Sequence, residues 1–368
     1  MTSRERLLAA VRGEMPDRVP VSCYELNAYH PEHFENREPS YARLMAAIAE
    51  LGDEMLMTHT GGLPNAAERI ETQRWTDEQG SQFTRQAWHT PKGALTRLLR
   101  DDPGLHTTWQ IEHWCKDGED LERVLSVPFE AGQVDRGFLL RQQEELGQKG
   151  VLLISIADPL CHAAELFSMA DYTVFAFSEP ERFRYLLDVL FEQIRVELRQ
   201  TLATGIRDCV FRVVGAEYAA PPYLPPGLFE KYVVPYDREM NRAIRESGNW
   251  PRLHCHGKIR NVLDLIAATE PAGLDPCEPP NQGDIELDEL KRRIGGRVCL
   301  MGNVELRDLE GCTPGQVRQI VRRCMEQGKA GGRYVLMPTA APINVPLSPR
   351  TEANYLAYLE AGREYGGY

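Results

Sequence analysis

Short apolar runs alternate with longer amphipathic stretches along this chain, and that alternation predicts strands separated by helices. Eight runs, each closed by Gly, Pro or polar residues, read as strands: 18–26, 54–60, 151–158, 209–215, 252–257, 273–278, 298–304 and 334–338. Between them, residues 181–202 place Phe183, Leu186, Leu190, Ile194 and Leu198 on one helical face. The stretch 314–327 starts beside Thr313, a good N-cap, and stops at Gly328, while 288–293 supplies a shorter helix. Eight parallel strands alternating with helices predict an α/β fold, a (β/α)8 barrel of the TIM type.

Residues 65–130 break the pattern. Trp75 to Phe83 reads as a hairpin turning at Gly80, and a second turn falls at Pro91-Lys92-Gly93. Together they predict an antiparallel hairpin insertion after the second strand, lying over the barrel mouth. It carries too few apolar residues for a core of its own. The whole chain, 1–368, therefore reads as one barrel domain.

A length of 368 residues suits an undivided barrel. The net charge of −12 disfavours nucleic acid and anionic membranes, which reward clustered cations. The segment Met1-Thr2-Ser3-Arg4-Glu5-Arg6 lacks the apolar centre of a signal peptide, and no apolar run approaches the ~20 residues of a bilayer span. Nine cysteines without paired spacing argue against a disulfide framework, so a reducing cytoplasm is expected.

Barrel enzymes carry their chemistry at the C-terminal ends of the strands. In Leu253-His254-Cys255-His256-Gly257 the two histidines stand at i and i+2, so they face one side while Cys255 faces the other. Two imidazoles on one face make a half-site for Zn²⁺ or a catalytic pair; a hydrogen-bonded core pair is the plainer alternative. Glu217, after the strand 209–215, could complete a metal site, act as general base, or fix its loop. Of Cys277 and Glu278, only one can face the axis. Glu278 is preferred as an oxygen ligand, with Cys277 as the softer alternative. Tyr24, His59, Asp158 and Asn303 also end strands and are candidate substrate contacts, although each alone is more often structural. Phosphate loops and serine nucleophile elbows are missing.

Several segments resemble the uroporphyrinogen decarboxylase-like superfamily: Ser3 to Glu14 with Pro16-Asp17-Arg18-Val19-Pro20, Gly215-Ala216-Glu217-Tyr218, Pro225-Pro226-Gly227-Leu228-Phe229, His254-Cys255-His256-Gly257, Gly302-Asn303-Val304, and Pro346 to Tyr355. The resemblance spans almost the whole chain and implies the barrel. It also implies one of two chemistries: metal-free decarboxylation of porphyrinogen acetates, or zinc-dependent methyl transfer with a corrinoid protein, a thiol or cobalamin. The decarboxylases' Met-Arg-Gln-Ala-Gly-Arg motif is absent, with Val21-Ser22-Cys23-Tyr24-Glu25-Leu26-Asn27 in its region. Their late His-Gly is replaced by Met337-Pro338-Thr339-Ala340-Ala341-Pro342. An octa-anionic tetrapyrrole would lack its guanidinium partners. The methyltransferases' His-x-Cys zinc motif appears here as His254-x-His256, and Ala340 lies near the place of their last Cys.

The resulting expectation is a zinc-dependent methyltransferase or demethylase. His254, His256, Glu217 and Glu278 would hold the metal, with Glu217, His254 and His256 catalytic. The substrate would be a small methylated or methoxylated compound, with a corrinoid protein as partner. A thiolate-free zinc stays a stronger Lewis acid, which suits a methyl ether. The alternatives are a decarboxylase or lyase acting on a small carboxylic acid, and a tetrapyrrole- or corrinoid-binding protein without turnover. By analogy with the superfamily, a homodimer is expected.

Overall fold

The computed structural model describes residues 1–60 and 69–368. Its centre is a curled sheet of seven parallel strands: β1 (Glu54–Thr58), β6 (Gly150–Ala157), β7 (Val210–Val214), β8 (Trp250–His254), β9 (Gly273–Asp275), β10 (Cys299–Val304) and β11 (Tyr334–Pro338), adjacent in that order. A second, antiparallel sheet comprises β2 (Ile70–Thr76), β3 (Gln82–Thr90), β4 (Gly93–Asp101) and β5 (Thr108–Glu112).

The closed eight-stranded barrel is corrected to a TIM-like sheet that does not close as a ladder. Residues 18–26 do not form the first strand. Val21 makes a single parallel bridge to Leu336, and Asp53 N–H donates to Val21 O at 2.6 Å, so the segment only spans the seam between β11 and β1. Pro20 lacks the N–H a ladder needs. The chain then turns at Tyr24–Glu25, where Glu25 has φ 56°.

Strands buried on both faces need apolar residues on both, and these have them. Leu152, Ile154 and Leu300 pack outward among the helices, while Val151, Leu153, Met301 and Val335 pack within the curl. Leu7, Leu8 and Val11 of the helix Ser3–Arg12 fill the inner cluster from below. That helix begins with a Thr2–Glu5 capping box. It is pinned by charge: Arg6 donates to Asp17 and to the buried Asp53, which also accepts from Arg18 and from the Val21 N–H. This network explains the Arg6, Asp17 and Arg18 of the opening motif.

The helices Pro180–Ala203, Leu287–Arg293 and Pro314–Gly328 form where amphipathic spacing places them, the last with a Thr313–Gln316 capping box. Of the insertion, residues 65–68 lie outside the described residues. The remainder turns where expected, at Asp77–Gly80 and Thr90–Gly93, and adds a third hairpin strand pair through β5. Trp75 stacks on Phe83 at 5.4 Å across β2 and β3. The nine cysteines are free, and Cys209 and Cys299 are fully buried. Among the described residues, no helix is long and apolar enough to cross a membrane.

Candidate active site

Strand alternation turns Arg252 and His254 toward the same side of β8, and His256 continues the period just beyond the strand. Parallel pairing sets Asp275, the last residue of β9, opposite His254. Pro276 follows and cannot donate to a ladder. Asp275 is fully buried; it accepts from Arg252 Nε at 2.5 Å and Nη2 at 2.6 Å, and lies 2.7 Å from His254 Nδ1. His256 Nδ1 lies 2.8 Å from Glu278 Oε1, and Glu278 Oε2 accepts the Gly257 N–H at 2.7 Å. The imidazoles meet edge to face, with centroids 4.6 Å apart. Each ring therefore anchors Nδ1 on a carboxylate and keeps Nε2 open.

Their electrostatics differ. Burial pushes the His254 imidazole down to about 3 against the pull of Asp275, with the Arg212 charge acting in the same direction as burial. Arg252 and His254 hold the Asp275 carboxyl well below the usual range, despite burial. The ion pair is thus Arg252–Asp275, and His254 is neutral. At His256, burial opposes the charge, but the Glu278 hydrogen bond and the charges of Glu278, Glu217 and Asp275 raise it above the ordinary imidazole value. His256 keeps 37% of its side-chain surface exposed, against 3% for His254. Of the two imidazoles, His256 is the one whose proton is held more tightly and which reaches the mouth.

The lowered His254 value has a consequence for stability. A folded pKa below the unfolded one contributes stability that is present above pH 6.5 and lost as pH falls toward about 3. The urea midpoint should decline across that window, and His254→Gln should flatten the decline. An unchanged pH slope in the variant would contradict a neutral His254.

Four further groups complete the mouth. Tyr24 stacks on His254 at 5.9 Å and accepts from Arg212 Nη2 at 2.7 Å. Arg212 Nε is buried without a partner. Glu217 accepts the Gly215 N–H at 3.1 Å, and burial raises its carboxyl despite the His256 and Arg212 charges. Glu305 leaves Oε1 buried and unpartnered; burial and the Glu278 charge raise it to about 7.

Of the expected site residues, the structure gathers Tyr24, Glu217, His254, His256 and Glu278. Cys277 turns its thiol to Leu274 O and lies outside the group. Asp158 caps the helix Pro159–Leu166 through Cys161 N–H, beside the buried Asp237. Asn303 meets the Cys324 thiol at 3.3 Å, in the layer between β10 and helix Pro314–Gly328. His59 lines a cavity to one side. Sequence reasoning missed Arg212, Arg252, Asp275 and Glu305. The signal for the arginines was a cation inside an apolar strand run, with Arg252 two residues before His254.

A catalytic zinc takes three protein donors and one open position. The two imidazoles are held as zinc ligands usually are, with Nδ1 on a carboxylate. The third donor is lacking. Glu278 uses both oxygens on His256 and Gly257, Cys277 faces away, and Glu217 is bonded to its own loop. Among the described residues, no three His, Cys, Asp or Glu side chains converge as a metal site. The donor set falls short of the expected zinc site.

A parallel α/β sheet with ionisable groups clustered at its C-terminal edge is the architecture of a barrel-type enzyme. The family model for uroporphyrinogen decarboxylase (URO-D) matches residues 138–351, more than half of the chain, and the chain belongs to that family. Among curated relatives, the uroporphyrinogen decarboxylase of Xanthomonas euvesicatoria pv. vesicatoria is 25% identical over 349 residues, covering 90% of this chain and 91% of that protein. The Chlamydia trachomatis serovar D protein of the same name is 27% identical over 160 residues, covering 40% and 44%. Among solved structures, a methyltransferase from Methanosarcina mazei shares the fold, with a TM-score of 0.63, 18% identity and 99% of each chain covered.

Proposed function

We propose that this chain transfers a methyl group from a small methylated or methoxylated compound, with His256 as the acid that activates the leaving oxygen. The observation that carries the proposal is His256, partly exposed, braced on Glu278 with Nε2 open at the mouth and held above the ordinary imidazole value by that carboxylate. That a protein of the same fold is a methyltransferase supports the reaction type.

Cleaving a methyl–oxygen bond requires charge on the leaving oxygen to be neutralised. His256 Nε2–H donates its proton there as the C–O bond breaks, and the C–O electron pair stays on oxygen. The methyl carbon bonds to the electron pair of an acceptor approaching from the mouth, a thiolate whose proton has gone to solvent or the reduced corrinoid of a partner protein. Glu278 stabilises the imidazolium beforehand, and His256 regains its proton from solvent. His254, neutral and fixed by Asp275, packs edge-on against His256 and holds its ring in place.

Charge also argues against a porphyrinogen. Arg252 is already neutralised by Asp275, which leaves Arg212 beside Glu25 and Glu217, while Glu278 and Glu305 face each other as a second pair of carboxyls. A polyanion would meet more carboxyls than cations.

The test mixes the purified chain with cob(I)alamin or a thiol and a panel of small methyl ethers, and follows methylation of the acceptor. Its absence across the panel would sink the proposal. A second reading, decarboxylation of a small acid, is favoured by the unpartnered Arg212 Nε, which could hold one carboxylate. Release of carbon dioxide without methylation would select it. Stoichiometric zinc in the same preparation, lost in His254→Ala, would restore the metal-dependent version.

A further inference from the structure

A cavity of about 540 Å³ opens between the second sheet, the C-terminal ends of β1 and β6, and the helices Pro159–Leu166 and Pro180–Ala203. Its size suits one small ligand. The helix Pro180–Ala203 gives it a wall of Leu186, Leu190 and Ile194, and Trp88 and Trp114 form the facing side, edge to face at 5.7 Å. No residue of the His254–His256 group lines it.

Polar side chains are interspersed in this wall, and one of its buried polar atoms is unpartnered. Trp88 Nε1–H is buried without a partner. An indole donor in such a place is destabilising unless something accepts from it. Glu165 is exposed, and among the described residues its side chain accepts only from the Cys161 thiol, 3.8 Å from Oε1. Its other neighbours in the wall are His162, which makes no side-chain hydrogen bond to the described residues, and Arg97, which is committed to Gln86 and lies 4.7 Å over the Trp114 ring. Glu197 already accepts from Thr60. Two carboxylates against one guanidinium disfavour an anionic ligand. The buried donor at Trp88 calls for an oxygen, and the exposed Glu165 carboxylate is free to accept a hydroxyl in place of water.

We infer that this cavity binds an uncharged aromatic alcohol or phenol of one or two rings, whose hydroxyl meets Glu165 and whose second oxygen meets the Trp88 N–H. The cavity reaches Ser155, whose Oγ lies 3.5 Å from Arg212 Nη1, and Arg212 in turn holds Tyr24 against His254. Two side chains thus separate the chamber from the histidines.

Calorimetry without any methyl acceptor tests the binding alone. Titration of 2-methoxyphenol should show saturable one-to-one binding, and phthalate, a dianion of similar size, should show none. Trp88→Phe and Glu165→Leu should each weaken the 2-methoxyphenol affinity about tenfold. Trp75→Phe, at the far edge of the second sheet, should leave it unchanged and serves as the control. Absence of saturable binding, equal binding of phthalate, or affinity untouched by both cavity variants would overturn the assignment. Binding without methyl transfer would uphold the chamber and sink the proposed reaction; methyl transfer without binding at this cavity would do the reverse.

Discussion

Replacing His256 with asparagine is expected to lower methyl transfer by about 10²–10⁴-fold, the usual worth of a positioned general acid. Folding should change little, because the side chain is more than a third exposed and its one hydrogen bond goes to Glu278. The pH profile gives the sharper reading. The acid form of His256 is the active one, so kcat/KM should hold at low pH and fall as pH rises through its folded value, which lies above 6.5. Glu278→Gln removes the carboxylate that raises that value and should move the alkaline limb toward lower pH. The direction follows from charge alone: a neutral amide stabilises an imidazolium less than a carboxylate does. A limb that stays in place in Glu278→Gln would remove His256 from the acid role.

The second large effect concerns Asp275. Asp275→Ala should cost about 3–5 kcal/mol, because it leaves the Arg252 guanidinium buried and unpaired. Arg252 and Asp275 retain 1% and 0% of their side-chain exposure, so water cannot replace the lost partner. The variant also frees the His254 ring, whose Nδ1 has no other anchor. Adding Arg252→Met to Asp275→Ala removes the stranded charge and should recover part of the loss. Urea unfolding of the two single variants and the double variant measures this directly. If Asp275→Ala costs less than about 1 kcal/mol, the pair behaves as a surface ion pair and the account of His254 as a fixed neutral group fails.

The legible parts of this site share a local cause. His254 and His256 could be paired from sequence because an extended chain places i and i+2 on one side, and the period holds even where the strand has ended. Glu278 stood out as a carboxylate at a strand end, but its role did not. Its oxygens bind a ring and an N–H contributed by the neighbouring segment, and nothing within 273–278 encodes that. Asp275 escaped notice for a related reason. Its importance lies in standing opposite His254 in the parallel register, 21 residues away in sequence. Glu305 follows a recognised segment, Gly302-Asn303-Val304, yet its unpartnered oxygen exists only in the folded protein.

The fold divides in the same way. Helix faces, caps and most strand positions were determined by the sequence, since spacing, Thr313 with Gln316, and apolar runs act over a few residues. The first strand was not, because its extended pattern contains Pro20 and meets only the sheet edges on either side. The tertiary structure decided that the sheet stops at seven strands, that Asn303 and Cys277 face away from the mouth, and that a chamber forms beneath the second sheet. Side-chain periodicity is a property of neighbouring residues; register, burial and the sharing of a carboxylate between two strands depend on which segments meet.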